Sequence, residues 1–211
     1  MQGPSKQFYQ YPLHLIFHPF DGYWELKYER NQRTTLLIAC MIMLMLMISK
    51  ILHAQYSGFL INFNNPKYLN SLLEVLYVMI PVLFWCVANW SLTTLMDGEG
   101  KFSEIFMSTC FALVPLLLIH FPWIWLSLVI SAQETAFYYF SNALAVAWTV
   151  YLLFVGNMTV HQYTPAKTVL TMLLTLVAMA FMAFLCLLFF SLVQQIVSFV
   201  VTIYQEIVLR G

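Results

Sequence analysis

The chain has 211 residues, 62% of them hydrophobic and only 9% Asp, Glu, Lys or Arg. A soluble domain carries about 25% charged residues, so a solvated globule is excluded and lipid becomes part of the solvent. Nine basic residues balance nine acidic ones, so no bulk attraction to nucleic acid is implied. The composition predicts an all-α integral membrane protein, and the length predicts one domain.

The first 34 residues form an amphipathic segment, "FYQYPLHLIFHPFDGYWELKYERNQR", rich in aromatics and mixed in charge. Asp21 is placed to cap a helix starting near Gly22, and Glu29 and Arg33 have i, i+4 spacing. Phe8, Tyr9, Tyr11, Leu15, Phe17 and Trp24 suit a membrane interface, which predicts an anchoring elbow or a docking surface for a partner. The first apolar run begins near Thr35, too late for an ordinary secretory signal, so it is expected to stay as a span.

About 20 apolar residues cross a bilayer. By that measure residues 35–54 form the first span, and residues 55–68 a polar loop with Asn-Asn-Pro turn chemistry at 64–66. Residues 69–96 form a second span, long enough to tilt, project or bend at Pro81. Next comes "DGEGKFSE", residues 97–104, with four of the chain's ionisable side chains. Residues 102–131 are a third apolar stretch broken by Pro115 and Pro122. Its first half is expected to span and its second half to bend or lie at the interface. Residues 136–160 make the fourth span and residues 168–190 the fifth. Together 35–190 are a five-helix bundle.

Residues 191–211 form a C-terminal amphipathic helix. Ser191, Gln194, Gln195, Ser198, Thr202 and Gln205 recur every three or four positions as one polar stripe. No Pro or Gly occurs from Lys167 to Leu209, so a sixth span lacks its turn. The helix is expected to continue out of the membrane or bend along its surface, or to present the stripe to a partner. Six basic residues lie on the side of the N-tail and three (Lys50, Lys67, Arg210) on the other. This places the N-terminus inside and the C-terminus outside.

GEGK raises the question of phosphate. A P-loop needs G-x-x-x-x-G-K-[ST] between a strand and a helix; here Phe102 follows Lys101, and Leu95 stands where the first Gly belongs. An EF-hand fails because Asp97 and Glu99 lack the remaining ligands. The residues Asp97, Gly98, Glu99, Gly100, Lys101 and Phe102 fit a water-exposed hairpin turn between two spans that doubles as a partner contact. Gly98 is expected to take the left-handed conformation ending one helix, and Ser103 to cap the next.

Ionisable groups inside membranes are functional candidates. Lys50 and Glu74 lie near the outer ends of adjacent antiparallel spans. They are placed so that they could pair across the two helices, as a proton or ion site or, more blandly, as a structural ion pair, with snorkelling side chains as the other bland reading. Asn89, Asn142 and Asn157 are expected to bond between helices. The cysteines stand singly, and no metal, cofactor or catalytic set of side chains is found, so no enzyme is expected.

The run "NWSLTTLMDGEGKFSEIFMSTCFALVP" resembles the Yip domain family, in its bacterial form. The carriers are Asn89, Trp90, Thr93, Thr94, Leu95, Gly98, Gly100, Phe102, Ala112, Leu113 and Pro115, together with "HPFDGYWELKYE" before the first span. The resemblance spans about residues 14–190. It implies a small membrane protein with a cytoplasmic N-terminus and no catalytic centre. Eukaryotic relatives bind Rab-type GTPases, but their Asp-Leu-x-Gly-Pro motif is not found here. Some bacterial relatives resemble accessory subunits of ABC transport systems. The leading expectation is an accessory or scaffold subunit of a complex in a bacterial plasma membrane, with lipids and membrane-protein partners. A stand-alone lipid or small-solute carrier and a membrane-shaping or trafficking factor are the alternatives.

Overall fold

The computed structural model describes residues 4–62 and 69–210, with side chains from 11 to 62 and from 69 to 209. Lys6, Phe8 and Tyr9 of the expected amphipathic segment, the expected turn at 64–66, Lys67 and the Arg210 side chain lie outside what is described. The elements are all helical: α1 Pro4–Phe17, α2 Pro19–Tyr28, α3 Gln32–Tyr56, α4 Ser71–Leu95, α5 Phe102–Ala112, α6 Val114–Leu126, α7 Thr135–His161 and α8 Pro165–Arg210. Among the described residues five stretches are long and apolar enough to cross a membrane, with α5 and α6 counted as one stretch, Phe102–Leu126.

Local chemistry sets the helix ends. Asn31 and Asn70 cap α3 and α4, their side-chain oxygens accepting from the N–H groups of Arg33 at 3.1 Å and Leu72 at 3.0 Å. Pro19 opens α2 behind His18, so Asp21 sits inside the first turn and is not the cap. Glu29 ends α2 while Arg33 belongs to α3. The chain leaves the helix between them, which removes the i, i+4 geometry. The third span is two helices joined at Leu113, just before Pro115. The 11 residues of α5 reach about 17 Å, so the first half alone does not span; the kinked pair together does.

The N-tail is part of the core. Tyr11, Leu15, Tyr23 and Leu26 are buried, because α1 and α2 fold onto α5 and α7. The Tyr11 hydroxyl donates to the Gly22 carbonyl at 2.8 Å, and its ring meets Phe111 edge-on. A Cβ on Gly22 would come within 2.9 Å of the Leu15 backbone, so the α1–α2 crossing requires glycine. The interfacial reading survives for Phe17 and Trp24, which are exposed. For Tyr11 and Leu15 protein, not lipid, covers the apolar surface.

α3 packs on α4, α5 and α6, and α7 on α2, α5 and α6. α8 closes the bundle against α4 and, less extensively, α7. It runs for 46 residues without a break through the position where the fifth span was expected to end.

Candidate functional site

One cluster of polar residues gathers at the end that carries the 97–104 turn. α4 ends there with Asp97 in the left-handed conformation, φ 56°. The Gly98 N–H donates back to the Thr93 carbonyl at 2.8 Å, closing a Schellman end. α7 ends in the same way, with Gln162 at φ 56° and the Tyr163 N–H on the Met158 carbonyl at 3.0 Å. Asp97, not Gly98, therefore takes the unusual dihedral. Asp adopts it more readily than most residues.

The glycines serve space. A Cβ on Gly98 would lie 2.6 Å from the Tyr163 hydroxyl, and one on Gly100 would lie 2.6 Å from both His161 Cε1 and Val160 Cγ1. The turn presses directly onto the end of α7. Its Gly100 N–H donates to His161 Nδ1 at 3.3 Å. That assigns the proton to Nε2, which donates to Asn89 Oδ1 at 3.1 Å. Asn89 Nδ2 donates in turn to Thr175 Oγ1 of α8 at 3.3 Å, and Thr175 to the Thr171 carbonyl at 2.7 Å. One chain of hydrogen bonds thus joins the turn, α7, α4 and α8.

Two lysines finish the helix ends. Lys167 Nζ donates to the Met96 carbonyl at 2.7 Å and lies 4.3 Å from the Tyr163 ring centroid. Lys27 Nζ donates to the Val160 carbonyl at 2.9 Å and pairs with Glu99 at 3.1 Å. Each cation sits at the negative end of a helix dipole. The Tyr163 hydroxyl donates to the Met96 carbonyl at 3.1 Å. Burial, and secondarily the Asp97 charge, raises its pKa, which keeps it a donor. α5 starts at Phe102 with Lys101 at the cap position, not Ser103. Glu104, itself buried, accepts from the Lys101 N–H at 3.1 Å and from Gln32 Nε2 at 3.3 Å.

Beneath this network lies a cavity of about 10 Å³ lined by Asn89, Ser108, Thr109, Asn157 and His161 among others. That is room for about one water. The outer surface of the turn is different. Asp97, Glu99, Lys101 and Phe102 are exposed, and Leu95 beside them is 86% exposed.

A family model for the Yip1 domain matches residues 13–188. The chain belongs to the Yip1 domain family. No curated protein and no solved structure matches it. The matched residues include both helix ends, the turn and the N-tail that braces them. The Yip1 domain here is thus closed at one end by contacts among its own polar residues.

The remaining expected residues fall elsewhere. Among the described residues Lys27–Glu99 is the one ion pair. Lys50 and Glu74 do not pair: Glu74 stays in the first turn of α4, where the helix dipole favours a carboxylate. The asparagines do bond between helices, Asn157 to Thr171 at 3.4 Å and Asn142 to His120 at 2.8 Å. Ser191, Gln194, Gln195, Ser198, Thr202 and Gln205 are all exposed on α8 beyond the bundle. Among the described residues no three His, Cys, Asp or Glu side chains converge as metal ligands. His161, Lys27 and Tyr163 escaped the sequence reading. The signal that was available is Thr168, Thr171 and Thr175, whose i, i+3, i+7 spacing marks one polar face on an apolar helix.

Proposed function

We propose that this chain is a non-enzymatic accessory or scaffold subunit of a larger membrane complex, for which an ABC transport system is the leading candidate. The observation that carries the reading is the use made of the polar residues. His161, Asn89, Tyr163, Lys27 and Lys167 are engaged in holding the 97–104 turn and the N-tail in one position. What the turn then offers outward is a fixed patch, Leu95 with Asp97, Glu99, Lys101 and Phe102. A rigid, exposed, mixed apolar and charged patch suits protein contact. The carrier reading has less support, because the cavity by Asn89 takes one water and not a solute.

The excess of basic residues around the N-tail and the two turns supports a cytoplasmic position for this end, and the bacterial form of the resemblance supports a bacterial plasma membrane. The test is purification in mild detergent with mass spectrometry of what accompanies the chain. Stoichiometric transporter subunits, lost in a Leu95→Glu variant that itself stays folded, are expected. A solitary protein overturns the scaffold reading. A partner retained by Leu95→Glu removes the turn as its contact.

A further inference from the structure

A second polar cluster lies at the other end of the bundle. Lys50 and His53 share one face of α3 at i, i+3 spacing. His120 of α6 brings its ring centroid to 6.3 Å from that of His53. His53 Nε2 meets the Tyr138 hydroxyl of α7 at 3.3 Å, and His120 Nε2 donates to Asn142 Oδ1 at 2.8 Å. The second nitrogen of each imidazole and the amide N–H groups of Asn142 are left without a bond among the described residues. Lys50 stands within electrostatic reach of both imidazoles. Among the described residues it has neither a hydrogen bond nor an ion pair. All five side chains are half-buried, so the cluster is open on one side. An ammonium beside the two rings disfavours a metal cation there. A half-buried cation with no counter-charge calls instead for an anion.

Depth says which anion. At 1.5 Å per residue Lys50 stands about 27 Å from Gln32 at the start of α3, and His120 about the same distance from Phe102. The hydrocarbon core is about 30 Å thick. The cluster thus lies at the far boundary of that core, the level of phospholipid phosphates.

The surroundings say what the phosphate carries. Glu134, Tyr138 and Asn142 are spaced i, i+4, i+8 and line one face of α7, with Glu134 outermost. The Glu134 carboxylate accepts from the Ser131 N–H and hydroxyl, each at 2.9 Å, which lowers its pKa and keeps it charged. Trp123 meets Tyr138 edge-on at 5.4 Å, and with Phe137 and Glu134 it also lines an open groove of about 310 Å³. Two aromatic rings and a carboxylate attract an ammonium group. Cationic cluster and anionic groove are one helical turn apart, and an ethanolamine phosphate carries its two charges a short link apart in the same outward order.

We propose that Lys50, His53, His120 and Asn142 bind the phosphate of an aminoalkyl phospholipid headgroup, with its ammonium group against Glu134, Trp123 and Phe137. The same chemistry occurs in soluble phosphoethanolamine, and depth favours the lipid. The site is independent of whether the chain is a subunit of a complex.

The test reconstitutes the full chain in vesicles holding equal amounts of phosphatidylethanolamine and phosphatidylglycerol, extracts it in mild detergent, and weighs it by native mass spectrometry. Retention of phosphatidylethanolamine in preference to phosphatidylglycerol is expected. It should fall about tenfold or more in Lys50→Gln, which loses a charge-assisted contact, and hold in Arg33→Gln, a cation at the opposite end. Removing an uncompensated cation is not expected to lower the melting temperature. Glu134→Gln, at an exposed carboxylate, tests the site separately and should abolish the preference between the two lipids. Equal retention of both lipids by the unmodified chain overturns the proposal, as does retention unchanged in Lys50→Gln or lost equally in Arg33→Gln. Release of the lipid by soluble phosphoethanolamine assigns the site to a soluble ligand and overturns the lipid. None of these failures touches the scaffold reading, which stands on co-purifying protein.

Discussion

Replacing Gly100 by Ala tests whether the turn is glycine-bearing for space. The φ of Gly100 is not positive, so alanine suffers no backbone penalty there. Its methyl would instead stand 2.6 Å from His161 Cε1 and Val160 Cγ1. Both neighbours belong to the end of α7 and are buried. Overpacking of this kind costs about 1–3 kcal/mol. Moving the imidazole also breaks the 3.3 Å bond from the Gly100 N–H, for about 1 kcal/mol more. A total of about 2–4 kcal/mol corresponds to roughly 5–15 °C in melting temperature for a chain of this size. Thermal melting in detergent, followed by tryptophan fluorescence, reads it. The His161→Ala background removes the imidazole clash and the Gly100 bond but leaves Val160 Cγ1, so there Gly100→Ala is expected to cost about 1–2 kcal/mol less than in the wild-type background, a coupling seen in a double-mutant cycle. Wild-type melting of Gly100→Ala, or an equal cost in both backgrounds, would refute the packing argument.

Asp97→Gly is expected to raise stability by up to about 1 kcal/mol, since it relieves a left-handed non-glycine residue and removes an anion from a helix C-terminus; a lowered melting temperature contradicts this. Lys27→Ala should destabilise by about 1–2 kcal/mol through loss of the cap on the Val160 carbonyl, whereas Glu99→Gln, at an exposed carboxylate, should change stability by less than about 0.5 kcal/mol. Amide exchange across residues 19–28 reports the same difference, and equal effects would mean that the ion pair dominates. Burial raises the pKa of Tyr11, Tyr23 and Tyr163 in the folded chain. The unfolded chain then releases these protons first, so stability is level up to about pH 10 and falls above it. Tyr163→Phe should flatten that fall, and an unchanged alkaline limb in melting would argue against a raised Tyr163.

The spans were legible because hydropathy is a local property, and five apolar stretches in sequence became five in the fold. The turn at 97–104 was legible for the same reason. What it rests on was not. His161 lies 61 residues from Gly100, and nothing near either residue tells that two helix ends will meet. The sequence shows that small residues are wanted at 98 and 100 but not whether for dihedral or for room. Tyr11 and Leu15 read as interfacial because an amphipathic segment looks alike whether lipid or protein covers it. The Lys50–Glu74 pairing assumed that proximity along neighbouring helices brings side chains together, and among the described residues that pair does not form.

The unbroken α8 is mechanically a lever. No Pro or Gly from Lys167 to Leu209 gives it a place to hinge. A tilt of about 5° about its midpoint moves each end by roughly 3 Å. At its first turn that is more than a hydrogen bond such as the 2.7 Å bond from Lys167 to the Met96 carbonyl tolerates without rearrangement. A load borne at Gln205, far from the turn, is thus delivered to the residues that close the opposite end of the bundle.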